Sequence, residues 1–174
     1  YRRCANMGIK TVLHCGDLVD GEKMYRGHEY ELFLHGADAQ RDYAIANYPK
    51  ERGVKTFLIG GNHDEAFWKN AGIDVPKAVT EGRKDICFLG WHGAYLELGS
   101  LSIYLHHGQG GNAYARSYKG QKLIEQLAPE AKPNLLFQGH FHCMAHLPMY
   151  RNVVYWQMPC FQAQTPYLRT RGLY

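Results

Sequence analysis

Four short apolar runs in this chain each stop at glycine beside a carboxylate, amide or imidazole, and that pattern constrains the fold most. Residues 9–15 stop at Gly16-Asp17, and 54–59 at Gly60-Gly61 before Asn62-His63-Asp64. Residues 101–105 stop at His106-His107-Gly108, and 134–137 run into Gly139 before His140-Phe141-His142. Their length and β-branching read as buried strands. Glycine at such an end lets the backbone turn sharply and approach a ligand closely. In open α/β sheets, ligands bind beyond the carboxyl ends of strands, so these ends are the places to look for chemistry.

Further strands are expected at 86–89 and 153–158, and a hairpin at 94–98 and 101–105 through Gly99-Ser100. Polar, helix-compatible stretches cover 22–48, where Pro49 stops the helix, and 114–127. Strands alternate with helices early and pair locally later, which implies a layered α/β domain with helices outside a sheet. The opening residues 1–8 read as the last turns of a helix closed by Gly8.

Composition narrows the function classes. No apolar run approaches the roughly 18–20 residues that span a bilayer, so no membrane partner is expected. Five scattered cysteines without a C-x-x-C pair argue against a disulfide framework and for a reducing, cytoplasmic setting. A net charge of +4 permits an anionic substrate without demanding one. Ten histidines in 174 residues leave position to decide which of them do chemistry.

Taken singly, each cluster has an ordinary reading. Gly16-Asp17-Leu18-Val19-Asp20 fits a turn with a helix N-cap, and Gly61-Asn62-His63-Asp64 fits an Asx-turn. His106-His107 fits a packed or surface pair. Gly139-His140-Phe141-His142 would place two imidazoles on one side of a strand at period two, a chelating geometry. Carboxylate, amide oxygen and imidazole together suit Mn²⁺, Fe²⁺, Zn²⁺ or Mg²⁺ rather than a soft ion. Two such ions could clamp a phosphoryl group and generate hydroxide. His14 reads as structural, and His28, His35, His92 and His146 lie outside any motif.

G-D-x-x-D at residues 16–20, G-N-H-D at 61–64, His-Gly at 107–108 and G-H-x-H at 139–142 resemble four of the five motifs of the calcineurin-like metallophosphoesterases. The resemblance implies an α/β/β/α four-layer sandwich carrying two divalent metal ions, with manganese favoured. It implies Asp17 as a bridging ligand, Asn62, His107 and His140 on the second metal, and His142 on the first. The family's His-Gly pattern favours His107 over His106. His63 would then be the general acid, oriented by Asp64, and metal-activated hydroxide the nucleophile.

The family's D-x-H motif is not found before Gly16. The expectation is therefore a single phosphoesterase domain over 1–174 that lacks the first strand and its motif, incomplete at the N-terminus. A single-metal or inactive remnant is the other reading of the gap. The arginines of the protein phosphatase branch are absent beside Asp20 and Gly61. The motif forms look more like the nuclease and phosphodiesterase branches, DNA exonucleases among them. A phosphodiester substrate is expected, with DNA or RNA placed ahead of a small phosphodiester. Tyr150, Arg151, Tyr155, Trp156, Phe161, Tyr167, Arg169 and Arg171 are candidates to stack bases and hold phosphates. The alternatives are a phosphomonoesterase on a small substrate and a catalytically incomplete metal-binding or interaction domain.

Overall fold

The computed structural model describes residues 1–173, which form two compact units. The first unit, Tyr1–Trp91, opens with α1 (Arg2–Asn6) and β1 (Thr11–His14). A long loop leads to α2 (Ala37–Asn47), then β2 (Lys55–Gly60), α3 (Asn62–Ala71), α4 (Val75–Gly82) and β3 (Ile86–Trp91). Its sheet is β1-β2-β3, parallel throughout. Parallel strands need crossover connections, and the polar stretches between them supply the helices. Leu58, Phe67, Val75, Val79 and Ile86 fill the core with Ala37 and Ala44. Each large side chain so buried contributes about 1.5–3 kcal/mol.

The second unit begins at His92. It holds β4 (Gly93–Leu98), β5 (Leu101–His106), α5 (Tyr118–Gln126), β6 (Leu135–Gln138), β7 (Ala145–Tyr150), β8 (Val153–Gln157) and α6 (Pro166–Thr170). The sheet order is β4-β5-β6-β8-β7. The strands β5, β6 and β8 run parallel, while β4 and β7 are antiparallel edges. Ile124 of α5 packs on Leu136, Val153 and Tyr155. Gly120 makes this approach possible, because a Cβ there would fall inside the Tyr155 ring.

Register places the ligand-bearing turns. In the first sheet His14 pairs with Leu58, so the residues after β1 and after β2 emerge at one edge. In the second, His106 pairs with Gln138 and Gln138 with Gln157. The segments after β5 and β6 therefore leave the sheet side by side.

Three expectations need correction. The stretch 22–48 is helical only from Ala37, apart from a 3₁₀ turn at His28–Tyr30. Gly27 and Gly36 both hold positive φ (87° and 86°), which breaks any continuous helix there. The helix expected from residue 114 begins at Tyr118. His140 and His142 do not extend a strand, because β6 ends at Gln138.

Candidate metal centre and proton donor

In the first unit the loop after β1 carries Asp17, whose φ is 58°. Its Oδ1 accepts the backbone N–H of His63 at 2.9 Å. That N–H belongs to the first turn of α3, where donors have no intrahelical partner and a carboxylate is favoured. Asn62, His63 and Asp64 are the first three residues of α3, with Gly61 as N-cap. Asp64 closes a capping arrangement: Oδ2 accepts from Gly61 N at 2.8 Å and Oδ1 from Val19 N at 3.0 Å. The fully buried Asp64 carboxylate is thus the brace between the start of α3 and the loop carrying Asp17. Burial pushes its pKa above the usual carboxylate range, and the neighbouring Asp17 charge adds to the rise.

The ring of His63 is oriented by a different group from the one expected. Its Nδ1 lies 2.5 Å from the backbone carbonyl oxygen of Asp20, while both Asp64 oxygens are engaged with backbone amides. Because a carbonyl only accepts, Nδ1 carries the proton in that contact. Gly21, directly after Asp20, sits at φ 69° with its α-carbon against the His63 carbonyl, where a Cβ would collide. His28, read from sequence as lying outside any motif, is buried and meets the His63 ring edge-to-face at 5.8 Å. Its Nδ1 faces Met24 N at 3.4 Å. Burial lowers the pKa of His28 first, and the neighbouring His63 lowers it further. The sequence holds no local signal for this contact, since its two residues lie 35 positions apart.

The second unit assembles its histidines in the same way. His107, just past β5, is buried, and its N–H donates to the His92 carbonyl at 2.7 Å. Its ring stands 5.1 Å from that of His140, nearly perpendicular. His140 Nε2 lies 2.8 Å from the Gly110 carbonyl. Nε2 is therefore the protonated nitrogen, which puts the lone pair on Nδ1; a carbonyl behind an imidazole is a common way to orient a metal ligand. His106 is engaged differently. Its Nδ1 lies 3.0 Å from both Gly108 N and Gln138 Nε2, and burial lowers its pKa to about 4. Behind it the Tyr155 hydroxyl lies 2.8 Å from Gln138 Oε1 and 3.1 Å from Gln157 Oε1.

Three of the five expected ligands share a backbone feature. Asp17, His140 and His142 have φ of 58°, 73° and 54°. Non-glycine residues in that region cost about 1–3 kcal/mol each and persist where the surroundings over-determine them, often at ligand sites. Carboxylate and imidazole donors held on such turns, with the Asn62 amide at the start of α3, fit a hard-to-borderline divalent cation.

The candidate nucleic-acid surface from the C-terminal aromatics is only partly available. Tyr155 is buried, Trp156 stacks on His146 at 3.7 Å, and Tyr150 donates to Glu125 at 2.6 Å. Phe161 is fully exposed.

The family model of the calcineurin-like phosphoesterases matches residues 2–155. The chain belongs to that family. Among solved structures, the chain resembles a novel archaeal phosphodiesterase with TM-score 0.52 and 13% identity, over 88% of this chain and 69% of that one. The likeness is one of fold: mixed α/β, with two sheets and their helices. Its curated relatives include the DNA polymerase II small subunit of Methanocaldococcus jannaschii, 25% identical over 95% of this chain and 33% of that protein. The same subunit of Methanothermobacter thermautotrophicus is 24% identical over 91% of this chain and 40% of that protein. The chain thus spans a third to two-fifths of these relatives' length. Among the described residues, no helix is long and apolar enough to cross a membrane.

Proposed function

We propose that this chain cleaves phosphodiester bonds in nucleic acid, with DNA as the substrate, and that His63 protonates the departing oxygen. The observation that carries this reading is the His63 ring, with Nδ1–H on the Asp20 carbonyl. Its place directly after Asn62 puts it next to an expected ligand. An imidazole so held presents Nε2 as its other proton-bearing atom. The relatives' names support DNA as the nucleic acid.

Asp17, Asn62, His107, His140 and His142 are the proposed ligands of two divalent cations, manganese in first place. Such cations lower the pKa of water and neutralise charge on phosphoryl oxygens. Asp17 also holds the start of α3 through the His63 N–H, and Gly110 orients His140. The role of Asp64 is to brace these backbones.

The test is hydrolysis of bis-p-nitrophenyl phosphate and of a DNA oligonucleotide in Mn²⁺, with metal content measured in the same preparations. Asp17→Asn and His140→Ala should lose both metal and activity. Parental metal content in both variants rejects the ligand set. A metal-replete chain that hydrolyses p-nitrophenyl phosphate but neither diester rejects the diester reading in favour of a phosphomonoesterase. The subunit names of the relatives also favour a second reading, a domain retained to bind a polymerase partner. A metal-replete chain inert on all three substrates supports it.

A further inference from the structure

The segment from Gly108 to Lys122 links the turn after β5 to α5 and reads Gly-Gln-Gly-Gly-Asn-Ala-Tyr-Ala-Arg-Ser-Tyr-Lys-Gly-Gln-Lys. It contains three cations and no carboxylate. Lys122 pairs with Glu125 at 2.8 Å. Arg116 and Lys119 form no ion pair among the described residues.

The segment is fastened to the histidine turn. Gly110 accepts from His140 Nε2, and Asn112 Nδ2 donates to the Phe141 carbonyl at 3.3 Å. Lys119 Nζ lies 3.7 Å from the point where a Cβ at Gly110 would stand. The ammonium is thus one residue's width from the carbonyl that orients His140. Tyr114, midway along the segment, is fully exposed, and Tyr118 is about half exposed. Uncompensated cations beside exposed aromatic rings suit a strand with a charged backbone and unstacked bases.

We propose that residues 108–122 hold single-stranded DNA as it reaches the histidines of the second unit. Arg116 and Lys119 take backbone phosphates, and Tyr114 stacks on an unpaired base. The inference rests on the phosphodiesterase reading above for the nature of the substrate, but its test reads binding rather than turnover. An unpaired strand is specified because duplex bases have no free face for the tyrosine.

The experiment measures anisotropy of a labelled oligodeoxythymidine with the full chain over a range of KCl concentrations. Arg116→Ala/Lys119→Ala should weaken binding and reduce the slope of log K against log salt by about 1.4, two single-strand phosphates at ~0.7 each. Tyr114→Ala should weaken binding roughly 5- to 100-fold while leaving the salt slope as in the parent. Lys122→Ala, whose charge is matched by Glu125, is the control and should change neither strongly. Parental affinity and slope in the double variant overturn the proposal, as does a parent that binds no oligonucleotide. A blunt duplex competing as well as the single strand overturns it too. If the parent hydrolyses no phosphodiester yet these binding changes appear, the catalytic reading fails and the binding element stands.

Discussion

The Nδ1 of His63 lies 2.5 Å from the backbone carbonyl of Asp20, and this contact, rather than a carboxylate, fixes the ring. A carbonyl partner cannot itself change charge in the titration range of imidazole. It fixes which nitrogen holds the proton without adding a full negative charge beside the ring. The position of the carbonyl depends in turn on Gly21 and on Gln40, whose side chain bonds both Gly21 N and Gly21 O, at 3.0 and 3.1 Å.

Asp64 is expected to matter for stability more than for proton transfer. Asp64→Ala strands two donors, Gly61 N and Val19 N, and removes the capping carboxylate of α3. The expected loss is about 2–4 kcal/mol in urea unfolding, from two unsatisfied amides and a lost cap. Relative rates on diesters with good and poor leaving groups should move together. A variant as stable as the parent would mean that the two amides find other partners.

The buried Arg83 offers a pH test. Its guanidinium bonds Asp85 twice and reaches the carbonyls of Ile45, Tyr48 and Pro49, at and just beyond the C-terminal end of α2. The hydrogen-bonded ion pair lowers the pKa of Asp85. A depressed carboxylate stabilises the fold above its unfolded value near 3.8 and loses that contribution as pH falls through the folded value. Arg83→Met should therefore cost about 3 kcal/mol near neutral pH and clearly less once the pH falls below the depressed folded value of Asp85, where the carboxylate takes up its proton. A cost independent of pH, read from urea midpoints, would show that the carbonyl contacts alone carry the effect.

What could be read from the chain was the set of turns, because a glycine next to a ligand after an apolar run is a local signal. The element that follows β2 was not legible. Asn62-His63-Asp64 reads as a turn until Gly61 is recognised as an N-cap with Asp64 closing back on it, and glycine has no side chain to advertise that role. The edge strand β7 carries no clear strand signal because Pro148 lies inside it, which an edge tolerates and a sequence pattern penalises. His140 and His142 alternate as strand residues would, yet both turn into positive φ directly after Gly139. The His28–His63 contact is tertiary, made by a loop whose two glycines also end the helix expected there.

The polar network behind His106 should be sensitive to single atoms. Tyr155→Phe removes the hydroxyl that lies between Gln138 and Gln157 and leaves a buried amide oxygen short of a donor. A loss of about 1–3 kcal/mol is expected from thermal or urea unfolding. Gly120→Ala on the same contact places a methyl group in the Tyr155 ring and should cost at least as much, by overpacking. If Tyr155→Phe is neutral, Gln138 and Gln157 have repartnered, and amide exchange at Gly139, which donates to the His106 carbonyl, would show the shift.

His63→Asn tests the chemistry. Asparagine keeps polarity but cannot give up a proton near neutral pH, and general-acid help is worth ~10²–10⁴ in rate. The variant should lose about that factor in kcat on a DNA oligonucleotide, whose alkoxide leaving group needs protonation. On bis-p-nitrophenyl phosphate the loss should be much smaller, because p-nitrophenolate departs unaided. Metal content should match the parent, since the His63 backbone N–H that holds Asp17 survives the substitution. Equal losses on both substrates at parental metal content would remove His63 from proton transfer and leave it a structural neighbour of His28. Loss of metal would instead make His63 a ligand, and its Asp20 contact would then serve to orient an imidazole toward the cation.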